Sequence, residues 1–411
     1  MTRVLIIGGN RSTVGSIKAV RAAGFEVVVA EKLPRQDALA AADIGLEIPS
    51  NDVEGLDTAI RRLGHIDGII GINEQAMQTA TELQHRFGLI GLSEAVIDRT
   101  LSKLEQRKCW SRSADLAVDY RIAEGPGDVR DAVEAWRRPV IVKPDRSLGG
   151  SRGVSLVSNP DDSARAFDYA REQGLPGTTI LVETALKGPQ FSAELIVRDG
   201  VTSVLAIGRK VKSPEPYRVD LAISYPGVED AADIAAIERM CSQATALLGI
   251  SRGPGHIEFA LTELGPRPIE LAARCGGSIT ADLAAHVSGV HPMVEACKLA
   301  CGVSGDLPSP RKAGGAVLMF LAFPPGSGTT LSIPDWVRRH PALLDIDARL
   351  PDDGRILPVR WTSQRSGYLG ILADDGATAR ELAAAFARAI HVIYQNGEEH
   401  SAIGLEDVSQ N

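Results

Sequence analysis

"HIEFALTELGPRPIELAARCGG", residues 256–277, decides how the rest of the chain is read. Two runs alternating with a period of two flank a break at Glu263, Leu264 and Gly265, which reads as a β-hairpin. Ile257, Phe259 and Leu261 point one way; His256, Glu258 and Ala260 point the other. On the return strand Ile269 and Leu271 share a face, and Glu270 and Ala272 share the opposite one. A three-residue loop pairs Thr262 with Pro266, sets Glu258 opposite Glu270 and sets His256 opposite Ala272, with Cβ atoms ~5 Å apart. Two carboxylates at that spacing on a partly buried face repel, unless the register slips and both reach solvent. A divalent cation between them removes the repulsion. Mg²⁺ takes oxygen ligands and usually reaches a protein through one or two carboxylates plus substrate phosphates, so a nucleotide is expected nearby.

Upstream elements supply a place for one. "PVIVKP" (139–144) is a strand with a lysine, Lys143, where an apolar residue is expected. A lysine there meets a phosphate as a point charge. The loop that follows, "DRSLGGSRGVSLV" (145–157), is rich in glycine and serine. Ser147, Gly149, Gly150, Ser151 and Gly153 leave backbone N–H groups free to close over phosphate oxygens; a solvated surface loop is the alternative. Lys103 opens the basic helix "SKLEQRKCWSRSAD" and is a weaker signal alone.

The N-terminal segment has a different character. "RVLIIGG" (3–9), a helix ending at Gly24, "FEVVVAE" (25–31) and "IDGIIGI" (66–72) form βαβ units with a parallel sheet, and "GLIGLS" (88–93) reads as one more strand. Its glycines at 8, 9 and 15 match neither a dinucleotide fingerprint nor a Walker loop, so an NAD-linked oxidoreductase is disfavoured. The helix N-terminus there can offer N–H groups to a substrate's carboxylate or phosphate. Further on, 178–184 is a strand, 190–210 a hairpin turning at Asp199-Gly200, and 232–249 a helix; strands and helices resume after about 310.

With 411 residues, 44% hydrophobic and 23% charged, the chain is an ordinary globular protein of several domains. A formal charge of −8 argues against a nucleic-acid binder. No apolar run approaches the ~18 residues of a membrane span, and no signal peptide is evident. Five cysteines without metal-type spacing read as reduced packing residues, so a cytoplasmic location is expected.

The order of parts, "VIVKP…SLGGSRGV", "ILVETALKGPQFSAEL" and "HIEFALTELGPRPIELAARCGG", resembles the ATP-grasp superfamily of carboxylate–amine ligases over nearly the whole chain. "RSGYLGILADDGATARELAAAFARAI" resembles the last domain of the L-amino-acid ligase, dipeptide-forming branch. The glutamate pair with Arg274 four residues later is the specific signal. The resemblance implies an α/β and α+β chain: a Rossmann-like pre-ATP-grasp domain over 1–100, two-lobed ATP-grasp core over 101–310 with a small lobe at about 113–184, and a C-terminal α+β lobe over 311–411. It implies that Lys103 and Lys143 bind ATP phosphates under a lid containing Ser147, Gly149, Gly150 and Ser151. Glu183, Thr184, Ala185 and Leu186 would form the hinge whose backbone reads the adenine edge. Glu258 and Glu270 would hold Mg²⁺ (or Mn²⁺). Arg274 would hold the acyl phosphate and transition state, with Lys143 the other catalytic residue and Asp220, Gly276 and Gly277 near the substrate.

Three positions depart from the family pattern: Gln190 stands where a ribose-binding glutamate is usual, Ile223 at a histidine position, and Ala272 where an asparagine ligand is usual. A water or His256 could take that last place. The implied reaction joins small-molecule carboxylate and amine substrates through an acyl phosphate, releasing ADP and phosphate, with amino acids as the expected substrates. Alternatives are a bicarbonate-dependent carboxylase and a nucleotide-binding protein without turnover. A homodimer is compatible with the resemblance.

Overall fold

A computed structural model describes residues 1–33, 35–310 and 314–403. Strands β1 (Arg3–Ile7), β2 (Glu26–Ala30), β3 (Ile44–Leu46) and β4 (Gly68–Gly71) form a parallel sheet in the order β3-β2-β1-β4. The runs are apolar throughout because helices cover both faces. Ile6 packs with Ile17 and Val20 on one side, and Leu5 and Ile7 pack with Leu56 and Ile60 on the other. The strand expected at 88–93 is a loop. Gly88 is left-handed (φ +64°), and the Gln84 side chain donates to the Ile69 carbonyl of β4 while lying against Gly91. Leu89 and Leu92 therefore pack without pairing.

A small antiparallel sheet follows: β5 (Tyr120–Ala123), β6 (Val140–Pro144), β7 (Ser155–Val157) and β8 (Ile180–Thr184), ordered β5-β8-β6-β7. Helices Pro126–Trp136 and Ser163–Gln173 cover it. Then come β9 (Gln190–Arg198), β10 (Val201–Lys212), β11 (Asp220–Tyr225), β12 (Gly253–Thr262), β13 (Gly265–Ala272), β14 (Gly315–Leu321), β15 (Gly326–Ser332), β16 (Leu343–Ala348), β17 (Arg355–Ile356), β18 (Gly367–Ala373), β19 (His391–Tyr394) and β20 (Glu399–Ser401). They make an eight-stranded sheet, β13-β12-β9-β10-β11-β14-β18-β16, and a four-stranded one, β17-β15-β19-β20. The boundary expected at 310 lies between β13 and β14, and both belong to the eight-stranded sheet.

One face of that sheet carries core. Phe191 and Phe259 stack at 5.5 Å and pack with Trp110 and the helix Ala231–Leu248. The β9–β10 hairpin turns at Asp199 and Gly200, both left-handed (φ +50° and +80°), as expected of an Asp-Gly turn.

The β12–β13 hairpin reaches its register by another route than the one expected. Its loop has two residues, so Thr262 pairs with Gly265 and Leu261 with Pro266. The Thr262 hydroxyl braces this turn, donating to the Gly265 carbonyl and accepting from the Leu264 N–H. Pairing by that turn alone would miss the carboxylates by one residue. A bulge between Phe259 and Glu258 skips Ile269 and restores Glu258 opposite Glu270 and His256 opposite Ala272. Pro268 has no N–H to give the ladder, and the Arg107 guanidinium takes up the Pro268 and Ile269 carbonyls at 3.2 and 2.8 Å. Ile269 consequently lines the same cavity as Glu270, whereas Leu271 remains in the core.

Candidate functional site

The charged face of the large sheet and the small sheet enclose a cavity of about 760 Å³. Lys103, Lys143, Ser147, Gly149, Gly150, Ser151, Glu183, Thr184, Ala185, Leu186, Gln190, Asp220, Glu258, Glu270, Arg274 and Gly277 all line it. Gly276 does not: its N–H donates to Glu194 at 2.9 Å, and a Cβ there would sit 2.3 Å from the Glu194 carboxylate. Its role is to let the chain pass over that buried carboxylate.

Lys143 is buried on β6 and meets Glu183 of β8 at 2.8 Å. Arg107 clasps the same carboxylate through two hydrogen bonds of 2.8 and 2.9 Å. Burial would raise the Glu183 pKa, but Arg107 and Lys143 draw it down to about 2. Burial lowers Lys143, Glu183 raises it and Arg107 lowers it again, leaving it at about 8. The Glu183 side chain thus anchors a lysine. Sequence reading missed Arg107, whose signal was its position one helical turn after Lys103. At the expected hinge, the N–H groups of Thr184 and Ala185 donate to the Asp119 and Pro139 carbonyls, so both are spent within the protein.

Glu258 and Glu270 face the cavity from paired positions. Lys210 holds Glu258 at 2.6 Å and Lys103 holds Glu270 at 3.3 Å. Lys210 also binds Asp220 at 2.9 Å, and Lys212 binds it at 2.6 Å. Burial opposes both charges, yet the carboxylates raise Lys210 and the lysines depress Asp220. Asp220 is therefore an anchor for two lysines; it was expected near the substrate. Lys210 and Lys212 could have been found from their alternate spacing on β10, which puts both on one face. Two opposed carboxylates flanked by lysines have the oxygen donors that suit a divalent cation. Among the described residues no three His, Cys, Asp or Glu side chains form a metal cage. Ala272 adds no ligand, and His256 opposite it hydrogen-bonds the buried Glu194 through Nδ1 at 2.7 Å, with Nε2 4.0 Å from Glu258.

The glycine loop turns back over this cavity because Gly149, Gly150, Ser151 and Gly153 are all left-handed (φ +73°, +67°, +62° and +73°). Its tip docks on the segment before β18. The Gly150 carbonyl accepts from the Thr362 N–H at 3.0 Å, and Arg152 lies over the Trp361 ring at 5.2 Å. Arg274 is paired with Glu74, which arrives from the helix following β4. Nothing in the sequence linked those two positions.

The five thiols are unpaired, four of them buried, and no helix among the described residues is long and apolar enough to cross a membrane. Residues 136–282 match the model of the ATP-grasp domain family. An uncharacterized Sinorhizobium fredii protein, y4rH, is 27% identical over 397 residues, covering 92% of this chain and 80% of that protein. A formate-dependent phosphoribosylglycinamide formyltransferase from an Azoarcus species is 27% identical over 279 residues, covering 65% of this chain and 69% of the relative. The crystal structure of an L-amino acid ligase from Bacillus licheniformis superposes with a TM-score of 0.81 at 20% identity, covering 96% of this chain and 99% of that one.

Proposed function

We propose that this chain, whose residues 136–282 match the ATP-grasp domain family, is an ATP-grasp ligase that couples a carboxylic acid to the amino group of an amino acid at the expense of ATP. The observation that carries the reading is the Glu258–Glu270 pair facing Lys103 and Lys143 under a glycine lid. A carboxylate oxygen bonds to the γ-phosphorus as the bond to ADP breaks. The amine nitrogen then attacks the acyl carbon, phosphate leaves and the nitrogen gives up a proton.

Each step asks something of residues in this cavity. Lys103 and Lys143 present positive charge to the phosphates, and Glu183 keeps Lys143 in place. Glu258 and Glu270 would hold Mg²⁺ or Mn²⁺, which when bound neutralises charge growing on the phosphate oxygens. The lid excludes water from the activated acid. Arg274 stabilises the oxyanion of the second step. Gln190, on the first residue of β9, can still hydrogen-bond a ribose hydroxyl.

The reading also places the enzyme in the cytoplasm with small-molecule substrates. Its test is ADP and phosphate release against a panel of acids and amino acids, with the product identified by mass spectrometry. Formate and bicarbonate belong in the panel because one relative is named for formate dependence. Acid-plus-amine-dependent ADP release with an amide product is expected. Turnover with bicarbonate alone, or none with any pair, would overturn the reading.

A further inference from the structure

The nucleotide cavity does not end at the hairpin. Ser278, Phe320, Thr362 and Arg365 line it and also line a second cavity of about 1000 Å³. That second space lies between the N-terminal turn at Asn10–Ser12 and the segment 349–368.

Arg365 at this junction makes no ion pair among the described residues. Its Nε donates to the Thr362 carbonyl and its Nη1 to the Asp220 carbonyl, both at 2.9 Å, and its guanidinium carbon lies 3.4 Å from the centre of the Phe320 ring. Three carboxylates of this region are committed elsewhere. Asp220 holds Lys210 and Lys212, Asp345 holds Arg11 and Tyr368, and Asp347 holds Arg35. Nη2 has no partner among the described residues. Burial brings the Arg365 pKa down to about 10, with Asp220 pulling the other way, so the group stays charged near neutrality. A desolvated charge left unpaired is costly, and such groups concentrate where a ligand supplies the missing partner.

Ser278 gives an independent sign. Its hydroxyl is buried without a partner among the described residues, and its backbone is left-handed (φ +58°), a strained state for a residue with a side chain. Thr280 is only 2% exposed, and its hydroxyl too is unpartnered among the described residues, at the first turn of the helix Thr280–Ser288. An oxyanion would satisfy these donors, and the helix end favours one. Thr362 locates the junction relative to the chemistry, since its N–H meets Gly150 of the lid.

We propose that Arg365 and the Ser278 hydroxyl bind the carboxylate that is to be activated, with the body of the acid extending into the second cavity. This rests on the ligase reading above. Arg365 delivers the carboxylate from beside the lid. Arg274, on the hairpin, remains to receive the acyl group once it is formed.

The test is steady-state kinetics of Arg365→Gln, Arg365→Lys and Ser278→Ala with the best acid from the panel, after circular dichroism confirms each fold. Arg365→Gln is expected to raise the KM for the acid by about tenfold or more while the KM for ATP stays within about twofold. Arg365→Lys, which keeps the charge but not the fork, should fall between, and Ser278→Ala should show a smaller rise. An unchanged acid KM, or equal rises for acid and ATP, would assign Arg365 to supporting the lid alone and overturn the proposal. If the wild type turns over and Arg365→Gln does not differ from it, the proposal fails while the ligase reading stands. Should the wild type release no ADP with any acid, the ligase reading itself fails. Thermal shifts with the panel carboxylates in the presence of MgADP then decide the binding role. A shift in the wild type that Arg365→Gln lacks supports it; no shift, or the same shift in both, overturns it. Where the glutamine variant does not fold, the lysine and Ser278→Ala variants carry the same comparison.

Discussion

Glu74 and Arg274, two hundred positions apart, form an ion pair of 2.5 Å. The pair joins the helix after β4 to the residues just beyond β13. Burial opposes both charges, yet Glu74 with Glu270 and Glu194 holds the Arg274 pKa above its ordinary value, and Arg274 with Lys103 and a backbone hydrogen bond holds Glu74 below its own. The guanidinium also donates to the Cys275 carbonyl, so its direction is set from two sides.

Removing that brace should misaim the arginine. Glu74→Ala is expected to lower kcat by about 10- to 100-fold, since misplacement near 1 Å can cost that much. The KM for ATP should change less than kcat, because Glu74 is ion-paired with Arg274 and acts on Lys103 only through its charge. Rates of ADP release over a range of ATP concentrations check this; a kcat within about twofold of wild type would rule out a positioning role.

Lys143 should give the enzyme an alkaline limit. Its pKa is near 8, so the charge proposed to meet the ATP phosphates is present below that pH and is lost as pH rises through it. The kcat/KM for ATP is therefore expected to fall with an apparent pKa of about 8. Arginine stays charged, so Lys143→Arg should lack that limb whatever its absolute rate. A wild-type profile that stays flat through this range would contradict the assignment.

The Arg107–Glu183–Lys143 cluster should matter to stability as well. Glu183 ionises near 2 in the fold, against 4.5 for a free side chain, so the fold gains from its charge above pH 4.5 and loses that gain as pH falls toward 2. The gain is on the order of 3 kcal/mol. Arg107→Ala leaves a buried carboxylate with one partner and should destabilise by about 3–5 kcal/mol in urea unfolding. Glu183→Gln should flatten the acid limb of stability; an unaltered pH dependence would show that other carboxylates govern it.

Gly150 is where the lid touches the C-terminal segment. A Cβ there would lie 2.1 Å from the Thr362 hydroxyl, on a left-handed backbone (φ +67°). Gly150→Ala is expected to open the lid, lowering amide formation while raising the share of ATP hydrolysed without product. Adding Thr362→Ala removes the clash and should restore part of the coupling. The backbone strain of about 1–2 kcal/mol remains in the double variant. The ratio of phosphate to amide product measures both effects.

Much of this was legible in the chain itself. Period-two alternation exposed the Glu258–Glu270 face, the lysine inside "PVIVKP" stood out against its strand, and the glycine run marked the loop that turns back over the cavity. Those signals are local, because strand geometry and turn chemistry act over a few residues. What the chain alone could not show was how the hairpin reaches its register. A two-residue turn and a bulge at Ile269 arrive at the same carboxylate pairing as the three-residue loop they replace. Nor could it show that Glu183 spends its side chain on Lys143 and Arg107, that Asp220 holds two lysines, or that Glu74 meets Arg274. Sequence periodicity determined which face each side chain takes within its own strand. Which charges then meet is decided by packing between elements far apart in the chain, where each buried ion must find a partner among whatever the fold brings to it.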